Sequence, residues 1–157
     1  MKRILLLAAA LAAAWTAAAK ITLPEIIGDN MVLQQNADVK LWGWADPHTA
    51  VKVDASWGAR ATAKSGGDGR WEVMLKTPAG GYAPQRITIA GDGKVELNDV
   101  LIGEVWFAAG QSNMEMGVLG FHNCPVARSN EVIARADARR GKVRYVKIPK
   151  TASYTPE

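Results

Sequence analysis

Gly110-Gln111-Ser112-Asn113 is the stretch of this sequence whose residue types and setting point most directly to chemistry. Residues 100–109, VLIGEVWFAA, precede it and are largely apolar on both parities. Such a run suits a strand covered on both faces, the usual state of a parallel strand in an α/β sheet. A serine on a tight glycine-containing turn after that strand stands at the carboxyl end of the sheet, where open α/β folds place their ligand crevices. Its hydroxyl can attack an acyl carbon, and its own backbone N–H can help hold the oxyanion that forms. Ser112-x-x-Glu115 also matches a capping box, so the serine has a structural reading as well, and the two are compatible. The pattern G-x-S-x-G is not met, because Met114 stands where its second glycine would be; an α/β-hydrolase elbow is disfavoured.

A serine hydroxyl needs a base, and the chain has only two histidines, His48 and His122. His122 follows Ser112 by ten residues and has no acid nearby in sequence that pairs naturally with it, so it is a weak candidate for lining a substrate pocket. His48 follows Asp46-Pro47 and reads as a surface turn residue. These histidines and the lone Cys124 show no metal-ligand spacing, and no phosphate loop or dinucleotide fingerprint is present. No metal and no cofactor is expected.

The elements that must carry these residues fall into three segments of the 157-residue chain. Residues 1–19 have the layout of a secretory signal: Lys2-Arg3, an alanine- and leucine-rich core, then Ala17-Ala18-Ala19. The core is shorter than the roughly 20 apolar residues of a membrane span, so export to the periplasm or exterior with cleavage near Ala19 is expected. Cleavage removes two positive charges and lowers the formal net charge from +4 to +2, which leaves little compositional support for nucleic-acid binding. Cys124 would then lie in an oxidising compartment, buried or paired outside this chain.

Residues 20–97 alternate with period two in short runs at 39–44, 51–54, 60–64, 71–75 and 86–89, separated by turns rich in Gly, Pro and Asp. That pattern indicates an antiparallel sandwich or barrel. In residues 98–157 the apolar run 100–109, an amphipathic helix over 129–140 and a second strand at 143–148 read as strand, helix, strand. This is the beginning of an α/β domain, so the expected fold is a β-sandwich followed by the start of a flavodoxin-like α/β domain that ends unfinished.

The wording of several segments resembles a known family. Gly103-Glu104-Val105-Trp106 and Gly110-Gln111-Ser112-Asn113-Met114-Glu115-Met116 are similar to the nucleophile block of the sialate O-acetylesterases, which are SGNH-type hydrolases. Upstream, Asp29-Asn30-Met31-Val32-Leu33-Gln34-Gln35, Trp42-Gly43-Trp44 and Gly69-Arg70-Trp71 resemble the β-sandwich domain of bacterial members. Downstream, Gly120–Val126 and Ser129-Asn130-Glu131 do so too. The resemblance implies a serine esterase that removes acetyl groups from sugars, with Ser112 as nucleophile and its N–H as one oxyanion donor. It implies acetylated sugars or glycans as partners, and neither nucleic acid nor a lasting membrane span. The family's other oxyanion donors, a Gly and an Asn, and its Asp-x-x-His base belong to later blocks that have no counterpart in this chain. The expectation is an N-terminal fragment, inactive alone, whose apolar 100–109 segment is left exposed.

The alternative is a non-catalytic glycan-binding or structural β protein. Trp42 and Trp44 share one face of their strand by parity, either filling the core or forming a platform for sugars. Trp106, inside the apolar run, is expected to be packed. Residues 128–150 carry eight Lys or Arg against two acids, and their alternation with apolar positions reads as a solvated face.

Overall fold

The computed structural model describes residues 21–148, so the expected export segment 1–19 lies outside the described residues. The chain is mostly β. It divides into two units, one reaching Val105 and the other beginning at Trp106.

The first unit holds seven strands: β1 Val32–Gln34, β2 Asp38–Trp44, β3 Ala50–Ala55, β4 Arg60–Lys64, β5 Arg70–Lys76, β6 Gly81–Ala90 and β7 Lys94–Gly103. One mixed sheet runs in the order β1-β7-β6-β3-β4, while β2 and β5 form a separate antiparallel pair. Only β1 joins its neighbour β7 in parallel; the other pairs are antiparallel. Alternation along β3 and β5 sends Val51 and Val53, and Trp71, Val73 and Leu75, into one core with Leu41, Ile87, Ile89, Val100 and Ile102. Ser65 and Thr77 are buried polar exceptions, and both are satisfied. The Thr77 hydroxyl donates to the Gln34 carbonyl at 2.7 Å and accepts from the Ala37 amide at 3.1 Å.

Several expectations hold here. The runs at 39–44, 51–54, 60–64, 71–75 and 86–89 all lie within strands, and Gly69 takes the left-handed conformation (φ 79°) at the expected turn. The core also takes its aromatic residue from one of them, Trp71, 2% exposed. The two readings of Trp42 and Trp44, core filling and outer platform, are divided between them. In β2 the fully buried positions are Leu41 and Gly43; of the two indoles on the other parity, Trp42 is half-buried and packs against the core, and Trp44 is exposed.

The apolar run 100–109 does not form one strand. Its first residues belong to β7, which extends from Lys94 to Gly103 across the expected boundary at residue 97. Three residues of β6, Gln85 to Ile87, oppose four of β7, Leu97 to Val100, and Asp99 sits at φ 53°. This bulge shifts the phase of alternation, so Leu97, Val100 and Ile102 can all reach the core. Pro84 lies in the other irregular stretch of that pairing, where no ladder hydrogen bond has to be sacrificed.

From Trp106 on, the described residues contain two short helices, α1 Ser112–Glu115 and α2 Ser129–Asp137, and a small hairpin of β8 Gly120–Phe121 with β9 Cys124–Pro125. The expected beginning of an α/β domain is not evident. The 143–148 segment makes one isolated bridge, Arg140 to Val143, and no strand. A parallel strand is stable when sheet neighbours and helices cover it on both faces, and no such partner exists among the described residues of this unit. The exposure expected of the 100–109 segment holds only for its later residues: Val105, Trp106 and Phe107 are 52%, 87% and 87% exposed, whereas Val100, Leu101 and Ile102 are buried in the first unit. Trp106 is therefore not a packing residue here. Helix α2 begins at the expected place but buries none of its side chains.

Candidate active site

The approach to the serine begins at the end of β7. Parallel pairing of β1 with β7 sets Gln34 opposite Gly103. The Gln34 and Gln35 side chains then reach the next residue: their Nε2 groups donate to the Glu104 carboxylate at 3.1 and 2.6 Å. Both amides are used twice. Gln34 Oε1 accepts from the Val105 amide at 2.8 Å, and Gln35 Oε1 accepts from the Gly80 amide at 2.6 Å. The hydrogen bond from Gln35, then that from Gln34, holds the Glu104 carboxyl below its usual carboxylate range. In the sequence, Gln34-Gln35 and Gly103-Glu104 belong to two separate motifs. Nothing in a linear sequence announces a parallel register across some seventy positions.

Within the second unit, Ser112 is the first residue of α1. The capping-box reading is corrected: the N-cap is Gln111, with no side-chain cap hydrogen bond. The Ser112 hydroxyl is thus exposed and not committed to closing the helix. The turn is instead closed by the Met114 amide donating to the Gln111 carbonyl at 3.0 Å. Gly110 has a local reason to be glycine, since a Cβ there would come within 2.6 Å of Met114 Cγ. Gln111 and Asn113 are exposed beside the serine.

The other candidates are not assembled around it by any hydrogen bond among the described residues. His122 is exposed in the turn between β8 and β9, and Cys124 is exposed with a free thiol. His48 lies in the first unit, exposed at φ 60° in the turn expected of it. The Glu131 carboxylate takes a two-point ion pair from Arg128 at 2.9 and 2.6 Å, which keeps its pKa low. Among the described residues no group of three His, Cys, Asp or Glu side chains is placed to hold a metal ion. No described helix is long and apolar enough to cross a membrane.

Comparison with known proteins places the chain. No family model matches it. The human sialate O-acetylesterase is 32% identical over 114 residues, covering 66% of this chain and 22% of that protein. The chain is a distant homologue of the sialate O-acetylesterases. The rat sialate O-acetylesterase is 31% identical over 107 residues, covering 62% of this homologue and 20% of its own length. The crystal structure of a carbohydrate acetylesterase from Xanthomonas citri superposes with a TM-score of 0.63 at 35% identity, over 75% of this acetylesterase homologue and 26% of that chain. The chain thus spans about a fifth to a quarter of the length of the relatives it matches.

Proposed function

We propose that this chain carries the nucleophile-bearing part of a carbohydrate O-acetylesterase, with Ser112 as the attacking residue and acetylated sugars or glycans as substrate. The observation that supports the reading is the serine of the Gly110-Gln111-Ser112-Asn113 turn, exposed and released from capping, in a chain homologous to sialate O-acetylesterases. In this mechanism Ser112 Oγ bonds to the acetyl carbonyl carbon and gives its proton to a base. The Ser112 N–H helps hold the oxyanion. The base returns the proton to the sugar oxygen as the acyl C–O bond breaks and the sugar leaves as an alcohol, and water then releases acetate from the acetyl-serine. No metal or cofactor takes part in these steps.

No histidine among the described residues is hydrogen-bonded to Ser112, so the chain by itself is expected to hydrolyse acetyl esters no faster with Ser112 than with alanine in its place. Two assays test the reading. In the chain by itself, Ser112→Ala should leave background hydrolysis of an O-acetylated sugar unchanged; serine-dependent turnover would show that the chain holds its own base. In a chimera, residues 21–148 replace the matching part of the Xanthomonas citri acetylesterase. Deacetylation there should fall about a thousandfold or more with Ser112→Ala. A chimera whose activity ignores Ser112 would remove it as nucleophile. Export is part of the same proposal: secretion from a bacterial host should yield a mature N-terminus at Lys20, read by mass spectrometry, and retention of Met1 would count against it.

A further inference from the structure

The outer face of the β2–β5 pair carries chemistry that the serine does not use. On β2, Lys40 and Trp44 are exposed, with Trp42 on the same parity half-buried against the core; on β5, Arg70, Glu72 and Met74 are exposed. Register sets Trp42 against Glu72 and Trp44 against Arg70. Two indoles two residues apart on one strand lie about 7 Å apart along it, on the same side. Trp44 and Met74 remain 43% and 53% exposed. Leaving a tryptophan in water forgoes the burial that makes it valuable in a core, which Trp71 on the opposite face of the same pair obtains.

The charges beside the indoles are unequal. One carboxylate, Glu72, is shared by two cations: Lys40 Nζ at 3.3 Å and Arg70 Nη2 at 3.9 Å. The Arg70 contact is long and its side chain is 57% exposed, so its guanidinium keeps most of its donors for a ligand. A planar guanidinium adjacent to an indole suits a ligand with an apolar ring face and a carboxylate at its edge. The single Glu72 carboxylate, still able to accept from hydroxyls, suits a polyhydroxylated ligand and would oppose a closely phosphorylated polyanion.

We propose that this face is a saccharide-binding platform for carboxylated pyranoses: Trp44 stacks on the sugar ring, Arg70 takes the carboxylate, and Glu72 with Lys40 takes ring hydroxyls. The platform belongs to the first unit and does not rest on the role of Ser112. An acidic glycan chain would be held near the enzyme by it, separately from any acetyl group being removed.

The test uses the full chain and a matched pair of probes, methyl β-glucuronide and methyl β-glucoside, which differ only in the carboxylate. Titrations are followed by the indole N–H signals in NMR. The glucuronide should shift the Trp44 signal and bind about fivefold or more tighter than the glucoside, as one charge-assisted contact implies. Trp44→Ala should weaken binding about tenfold. Arg70→Gln, on a side chain already more than half exposed, should erase the preference for the glucuronide and leave glucoside binding unchanged. The Arg70→Gln arm keeps the test decisive if the tryptophan variant folds poorly. Absence of any Trp44 shift, equal affinity for the two sugars, or a preference that survives Arg70→Gln would overturn the proposal.

Discussion

Gln35 and Glu104 stand 69 positions apart in the chain and are joined by a 2.6 Å hydrogen bond from Nε2 to the carboxylate. With Gln34 they close the end of the β1–β7 pair over the last two residues of the first unit. Because these hydrogen bonds favour the ionised carboxyl, the folded pKa of Glu104 lies below its ordinary value of 4.5.

The sign of the resulting pH dependence follows directly. Stabilisation from Glu104 is fully present above the ordinary carboxylate pKa and is lost as pH falls through the lowered folded value. Glu104→Gln should therefore melt below the parent at neutral pH, and the gap should narrow on acidification below about pH 4.5. Thermal denaturation of both proteins from pH 7 to pH 3 measures it. A gap that stays constant over that range would show that the carboxylate charge contributes nothing to the clasp.

Among the described glycines of the first unit, Gly43 leaves the least room for a side chain. Thr22 and Trp44 exchange backbone hydrogen bonds at 2.9 Å each, which draws the Thr22 carbonyl against the place a Gly43 side chain would occupy. A Cβ there would overlap that carbonyl and approach Trp71 Cζ2 to 3.0 Å. Gly43→Ala should cost about 1–3 kcal/mol, the range for overpacking, in urea denaturation.

Trp71 and Trp44 should respond in opposite ways to truncation. Trp71 is 2% exposed at the centre of the core, so Trp71→Ala should cost about 3–5 kcal/mol. Trp44 is 43% exposed on the outer face, and Trp44→Ala should cost less than about 1 kcal/mol. Equal losses in denaturant would mean that both indoles face the interior.

Ser112→Ala should leave stability unchanged to within about 0.5 kcal/mol, as for a surface position outside any special contact. A capping serine would lose about 1 kcal/mol on the same change. Thermal and denaturant melts of the chain distinguish the two, since the helix here is capped at Gln111 without a side-chain bond.

The strands of the first unit are legible because period two is a local property. β4 occupies residues 60–64, the alternating stretch the sequence marks, and β3 and β5 bury every second residue as their sequences require. The candidate serine was also legible, as a residue type on a glycine turn with a recognisable surrounding motif. Its helix cap was not, because a capping box specifies spacing while the backbone angles at Gln111 and Ser112 decide which residue begins the helix.

By itself the sequence determined where strands alternate, where turns fall, and that Trp42 and Trp44 share a face. Which face that is came from tertiary contact: the Thr22 backbone and the Trp71 ring crowd Gly43 from the inside, leaving no room there for an indole. The apolar run at 100–109 shows the same division. Its composition called for burial, but burial needs partners. β1 and β6 flank Val100, Leu101 and Ile102 in β7, whereas the following Val105, Trp106 and Phe107 have no sheet neighbour among the described residues and remain in water. Hydrophobicity is a property of a residue; the surface that satisfies it is supplied by the rest of the fold.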